Sequence, residues 1–278
     1  MRLFDAARRF DRTEFQDAYS GVVLFRGQLD VYDDSRRDAY GVERRILSVA
    51  PGVAMPARRV LCEPGRGEAW LVGACQPDYF EGHEIRNKYV LHRADGLAYL
   101  KTPGQALDGS DGVRAYANAA WLKDAKQQEE SSTAPGMYVV FLANAEAAVP
   151  DTVIFLSDQI FWVRGRYGSA AEFLVAEVEE VTGGLQTVQY GAAAYDPVKD
   201  TNVVAVKPLQ AFVLRWQALY QNTSAAALAG EQGDKVVVVR KADAPAPKAG
   251  DKVTGEQPWV VRSVESRGDV WALRVRVV

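Results

Sequence analysis

The eight residues Val270-Trp271-Ala272-Leu273-Arg274-Val275-Arg276-Val277 decide the fold class. Trp271, Leu273, Val275 and Val277 fall on one side of a period of two, and Ala272, Arg274 and Arg276 on the other. That is the signature of a strand with one apolar and one basic face, half-buried in a sheet. Trp259-Val260-Val261-Arg262-Ser263-Val264-Glu265 precedes it across Ser266-Arg267-Gly268-Asp269, which makes the two a hairpin. Further upstream lie Lys235–Arg240, the proline-punctuated extended stretch Ala242–Ala249, and Gly250-Asp251-Lys252-Val253-Thr254. Residues 229–278 therefore read as a small C-terminal β-barrel-like module.

The same short apolar runs recur toward the N-terminus. Val22-Val23-Leu24-Phe25 and Leu29-Asp30-Val31-Tyr32 flank Arg26-Gly27-Gln28 and predict a short hairpin. Arg44–Val49, Arg59–Cys62, Glu68–Gly73 and Lys88–His92 follow as strands. Met137–Leu142, Thr152–Leu156 and Gln159–Arg164 continue the series, the last two joined by the two-residue turn Ser157-Asp158. Phe173–Val178 suits strand or helix, and Leu185–Tyr190 and Val203–Val206 read as strands. Leu209–Leu228 carries apolar residues at helical intervals, with a strand around Phe212-Val213-Leu214 as the alternative. Val113–Leu122 predicts one or two helical turns, and Lys123–Ser132 a polar exposed loop.

Residues 1–19 place Leu3, Phe4, Ala7, Phe10, Phe15 and Tyr19 at near-helical spacing with arginines between them. The expected organisation is an amphipathic arm over 1–20, a β-rich main domain over 21–228 with a polar loop near 123–136, and the module at 229–278. The fold class is mainly β: a large β-sandwich or barrel-like domain with short helices, plus the small C-terminal barrel-like module.

The 278 residues are 48% apolar and 25% charged, an ordinary globular composition, with a net charge of −3. The charge is unevenly placed: residues 121–200 carry five basic and twelve acidic side chains, and residues 201–278 eleven and seven. Opposed charge along one chain favours head-to-tail neutralisation in an oligomer. No apolar stretch approaches the roughly 18 residues a membrane span needs, and the N-terminus lacks an apolar signal core. The expectation is a chain folded in a reducing cytoplasm.

Chemistry is sparse. Two histidines and two cysteines, Cys62 and Cys75, supply no four-ligand zinc pattern. Gly65-Arg66-Gly67 lacks the third glycine and following helix of a phosphate loop, and no Gly-x-Ser-x-Gly elbow occurs. Asp78, Glu81, His83 and Glu84 read as a solvated loop, and Glu129-Glu130 and Glu179-Glu180 as surface charge. No catalytic residue, metal site or cofactor is expected. Three arginine doublets, Arg36-Arg37, Arg44-Arg45 and Arg58-Arg59, fall within 24 residues. In a strand each doublet points one guanidinium to each face. These six are the candidate subunit contacts, with DNA or local pairing to Asp33, Asp34, Asp38 and Glu43 as the alternatives.

The runs Gly250–Thr254, Gln257–Val264 and Val270–Val275 resemble the closing strands of small β-barrel head–tail joining proteins of tailed bacteriophages. The resemblance covers about 30 residues of the C-terminal module. It implies a ring of identical copies in the virion, assembled in the host cytoplasm and flanked by portal or tail proteins. Genomic DNA would pass through the lumen without sequence-specific binding. A near-neutral or acidic lumen suits passage, because a strongly basic one would hold DNA through counterion release. The competing expectation is a β-sandwich attachment or decoration protein that binds a host glycan, with Trp70 or Trp121 as its platform.

Overall fold

A computed structural model describes residues 13–31, 43–56, 59–108, 112–121, 137–143, 148–170, 173–181, 183–196, 198, 201–215, 234–244 and 246–278. Among the described residues, eighteen strands form three successive six-stranded antiparallel barrels, accompanied by one short helix. The chain is mainly β, as its period-two runs predict.

The first barrel comprises β1 (Thr13–Asp17), β2 (Val23–Val31), β3 (Arg44–Val49), β4 (Val60–Glu63), β5 (Glu68–Phe80) and β6 (His83–Arg93). Around the barrel they run β1-β2-β3-β6-β5-β4, and β1 pairs with β4 to close it. The second comprises β7 (Gly96–Lys101), β8 (Val113–Trp121), β9 (Met137–Leu142), β10 (Val153–Leu156), β11 (Gln159–Ala170) and β12 (Phe173–Glu180). Its order is β7-β8-β9-β12-β11-β10. The β7 and β10 edges meet where a Cβ on Gly96 would lie 3.9 Å from Leu156 Cδ1. The third comprises β13 (Leu185–Asp196), β14 (Thr201–Arg215), β15 (Lys235–Arg240), β16 (Lys252–Thr254), β17 (Pro258–Arg267) and β18 (Val270–Val277). Its order is β13-β14-β15-β18-β17-β16, closed by β13 on β16. Counted from its own first strand, each barrel has the order 1-2-3-6-5-4. One topology is used three times.

Each barrel is filled by its own core. Phe15, Leu47, Leu61, Trp70, Val72 and Leu91 fill the first, and Ala117, Leu142, Leu156, Phe161 and Val178 are among those filling the second. Tyr190, Val237, Val253, Trp259, Leu273 and Val275 are among those filling the third. The inward residues come from all six strands of a barrel, because alternate side chains of every strand face the axis.

The chain divides into two compact units, residues 1–100 with 113–180 and residues 101–112 with 181–278. The first unit holds the first two barrels. A secondary cluster joins them: Val60, Leu71 and Ala94 with Tyr19, Tyr116 and Ala143. Here β4 and β5 bury both faces, which is why Val60-Leu61 and Trp70-Leu71-Val72 read as continuous apolar runs rather than alternations. The second unit holds the third barrel and the helix α1 (Pro103–Asp108), with Gly104 close to Asp269.

Several expectations are revised. The C-terminal barrel begins at Leu185, so its first two strands lie upstream of the 229 boundary. The long β13–β14 ladder supplies two of the six strands, and both precede residue 229. Within 1–20, Thr13–Asp17 is strand with Phe15 inward; residues 1–12 lie outside the described residues. Arg26-Gly27-Gln28 is not a turn but the middle of β2. Gly27 is there because the strand passes close to its neighbour: a Cβ would stand 2.7 Å from Leu47 Cδ1. Val113–Trp121 is strand rather than helix, with Ala115 and Ala117 buried and Tyr116, between them, half-buried. Leu209–Arg215 takes its strand alternative within β14. The loop 123–132 lies outside the described residues. The Ser157-Asp158 turn forms as expected, with Leu156 opposite Gln159.

Candidate functional site

Antiparallel order fixes which connections share an end of the first barrel. The β1–β2 turn, the β3–β4 connection and the β5–β6 turn lie at one end; β1 starts and β6 finishes at the other. The first end carries an arm. After Val72 the pairing of β5 with β6 shifts register and continues as Cys75↔Tyr89, Gln76↔Lys88, Asp78↔Arg86 and Phe80↔His83. The β3 ladder on β6 stops at Asn87, so the outer part of the hairpin is a two-stranded ribbon. Its turn is Glu81-Gly82, with φ of 50° and 80°, the backbone of a tight two-residue hairpin loop that glycine eases.

The arm is held by charge and tipped with apolar groups. Asp78 accepts from Arg86 Nε at 2.5 Å and from Lys88 Nζ at 2.9 Å. Lys88 and Arg86 together hold its carboxyl below the usual range. Tyr79 is 63% exposed, Phe80 54% and Ile85 39%. Tyr79 and Phe80 are consecutive in an extended strand and so point to opposite faces. Ile85 is the unpaired residue of a second register shift. A two-stranded ribbon with large apolar groups on both faces has no core of its own in which to bury them. Val22, Val23 and Leu24 are exposed at the same end. Large apolar groups exposed at one end make it a candidate interaction surface.

The third barrel carries a counterpart on a different hairpin. The β13–β14 ladder runs twelve pairs from Leu185↔Phe212 to Asp196↔Thr201. β16 reaches β13 only as far as Gly191, and β15 reaches β14 only from Ala211 onward. The remainder is a ribbon on which Val204 and Val206, two residues apart and so on one face, are exposed. Lys207 and Lys252 are exposed nearby, Lys252 pairing with Gly191.

The described candidate arginines, Arg44, Arg45 and Arg59, do not assemble into one patch. Arg44 and Arg45 open β3 at the end opposite the arm; Arg59 lies in the β3–β4 connection, at the arm's end. Arg45 donates to Glu43 at 2.7 Å, and Arg93 donates to the same carboxylate at 2.9 Å. Arg44 lies opposite His92. Arg59 adopts φ of 49°, and its carbonyl accepts the Val72 N–H at 2.8 Å. Arg36, Arg37 and Arg58 lie outside the described residues.

Other chemically suggestive groups turn out to hold barrels together. Asp251 is buried and accepts from the Tyr190 hydroxyl at 2.5 Å and the Lys248 N–H at 2.7 Å. Asp234, just before β15, accepts from Arg276 at 2.6 Å and Arg274 at 2.7 Å. Burial pushes its carboxyl up, but the two arginines outweigh this and leave it lowered. Glu43 in the first barrel holds the equivalent place: each acid precedes the third strand of its barrel and meets an arginine on the sixth. Glu179, read from sequence as surface charge, is buried and paired with Arg164. Cys62 and Cys75 are free thiols on adjacent strands, but Cys62 faces Ala69 across the ladder. Among the described residues no cluster of His, Cys, Asp and Glu has metal-site geometry, and no helix is long and apolar enough to cross a membrane. Trp70 is fully buried, so it offers no sugar platform; the Trp121 side chain lies outside the described ones.

The arm was missed in the sequence because its turn, Glu81-Gly82, sits among polar residues that read as a loop. The available signal was the placing of Tyr79 and Phe80 on one side, and Ile85 on the other, of a two-residue glycine turn. No family model matches this chain, and neither a curated protein nor a solved structure matches it.

Proposed function

We propose that the protein is a structural virion protein of a tailed bacteriophage, a ring-forming head–tail connector, neck or upper-tail subunit that works by assembly. The observation that carries this reading is the apolar-tipped β5–β6 arm. A closed barrel leaves no sheet edge for a neighbour to pair with, so a projecting, apolar-tipped ribbon is a natural means of association. Tyr79, Phe80 and Ile85 are placed on such a projection and are exposed.

Two further features support it. The chain repeats one barrel order three times, which suits a scaffold better than a single reactive centre. The charged groups with buried partners, Asp234, Asp251 and Glu179, serve packing. The tailed-phage assignment rests on the resemblance of Gly250–Thr254, Gln257–Val264 and Val270–Val275, which supply β16, β17 and β18 of the third barrel.

The purified full chain, alone and with the portal protein of the same virion, should give cyclic particles by light scattering and negative-stain imaging. A strict monomer under both conditions overturns the reading. Peptides of the chain should also be found in washed, purified virions.

A further inference from the structure

We propose that the β5–β6 arm of one copy docks on the β13–β14 ribbon end of the third barrel of a neighbouring copy, a head-to-tail contact. This rests on the assembly reading above and names its contact. The two surfaces are complementary. The arm tip presents Tyr79, Phe80 and Ile85 with Glu81 and Glu84, two carboxylates that have no ion-pair partner among the described residues. Asp78 is balanced by Arg86 and Lys88, so the tip beyond that pair is acidic. The ribbon end presents Val204 and Val206 with Lys252 beside them, opposite Gly191; Lys207, on the other face, donates to the Asp243 carbonyl at 2.7 Å, and Lys248 is exposed in the β15–β16 connection. The acids of that end are engaged: Asp243 with Arg240, Glu265 with Arg267, and Asp251 buried under Tyr190. Asp269, at the exposed β17–β18 turn, is the remaining carboxylate among the described side chains there; those of Asp196 and Asp200 lie outside them.

Arm against arm would set acidic tip on acidic tip, and ribbon against ribbon would oppose lysines. The heterologous pairing alone brings apolar to apolar and acid to base. Such a contact repeats and closes into a ring when its rotation permits. Its size argues the same way. An aromatic side chain brings about 150–250 Å², so an arm tip falls short of the roughly 1,200 Å² of a stable isolated pair. Closure into a ring satisfies each subunit twice and makes a modest contact sufficient.

The test uses full-length chains in sedimentation velocity. One chain carries E81K/E84K and a second K207E/K252E; all four sites are exposed, and circular dichroism checks that both variants fold. Each variant alone should associate about tenfold to a hundredfold more weakly than wild type. A chain carrying all four changes should regain assembly. Mixing a Tyr79→Ser/Phe80→Ser chain with a Val204→Ser/Val206→Ser chain should give no ring, since the one intact arm–ribbon contact left between them cannot close and is too small to hold a stable pair. If wild type assembles and these variants assemble as well as it does, the docking contact is overturned while the assembly reading stands. If wild type itself stays monomeric with and without portal protein, both fall.

Discussion

Tyr19 and Tyr116 tie the first barrel to the second through a reciprocal pair of hydrogen bonds. The Tyr116 N–H donates to the Tyr19 hydroxyl at 3.1 Å, and the Tyr116 hydroxyl donates to the Ala18 carbonyl at 3.1 Å. Their rings meet edge-on with centroids 5.2 Å apart. The chain crosses between the barrels at Ala94-Asp95, where the Ala94 N–H bonds Ala69 of the first barrel and the Asp95 N–H bonds Ala117 of the second. Linker and tyrosines together leave the two barrels little freedom to swing.

Replacing Tyr116 with Phe should therefore cost about 1 kcal/mol by removing one hydrogen bond while keeping the ring. Tyr19→Phe should cost about 1–2 kcal/mol, because it leaves the Tyr116 N–H without its acceptor. The double variant should lose less than the sum, since both changes act on one contact. Urea denaturation of the four chains measures this cycle.

His92 governs stability in mild acid. It is 8% exposed, and burial, assisted by the nearby Arg44 charge, pushes its pKa down to about 4. The unfolded chain takes up a proton near the ordinary value of 6.5. Stability is thus full above about pH 6.5 and falls as pH drops toward 4, by up to about 3 kcal/mol. His92→Leu should flatten this part of the curve. Denaturation of both chains at pH 7, 5.5 and 4.5 isolates the histidine, because the remaining carboxylates are common to both.

Asp234→Asn should destabilise the third barrel by about 2–3 kcal/mol, as Arg274 and Arg276 lose their shared counter-charge. The Asp234 carboxyl is held below its ordinary 3.8 in the fold. Its contribution is present above that value and lost as pH falls through the lowered one, so the Asn variant should lack this acid-limb loss. Arg276→Met should do less harm than Asp234→Asn, since Arg274 still satisfies the acid.

Gly82→Val should loosen the arm without unfolding the barrel. Gly82 sits at φ of 80°, where a β-branched residue is strained by about 1–3 kcal/mol. Amide exchange should accelerate at Gln76–Arg86 and remain unchanged at Trp70, Leu71 and Leu91, whose side chains are buried in the barrel. Equal acceleration in both places would contradict an arm that frays on its own.

Strand identity was legible wherever one face of a strand met a core. Val270–Val277 and Trp259–Glu265 are strands and the Ser157-Asp158 turn forms; on the last strand Leu273 and Val275 are core as the alternation predicts, but Val277 is exposed and Ala272 buried. Where both faces are covered or both are wet, the period fails. Val113–Trp121 looked helical because its alanines fit either spacing, and the arm looked like a loop because nothing covers it.

The sequence alone determined the strands that set one face on a core, because side-chain period is local and the chain carries it directly. It also determined that Trp259 is core material and that no motif for bond chemistry is spelled out along the chain. The threefold use of one strand order, the pairing of Asp234 with Arg276 and of Tyr19 with Tyr116, and the projection of Tyr79 and Phe80 were decided by tertiary structure. Each depends on which distant strand lies alongside, and neighbours across a sheet are chosen by the closure of the whole barrel, not by the residues on either side in the chain.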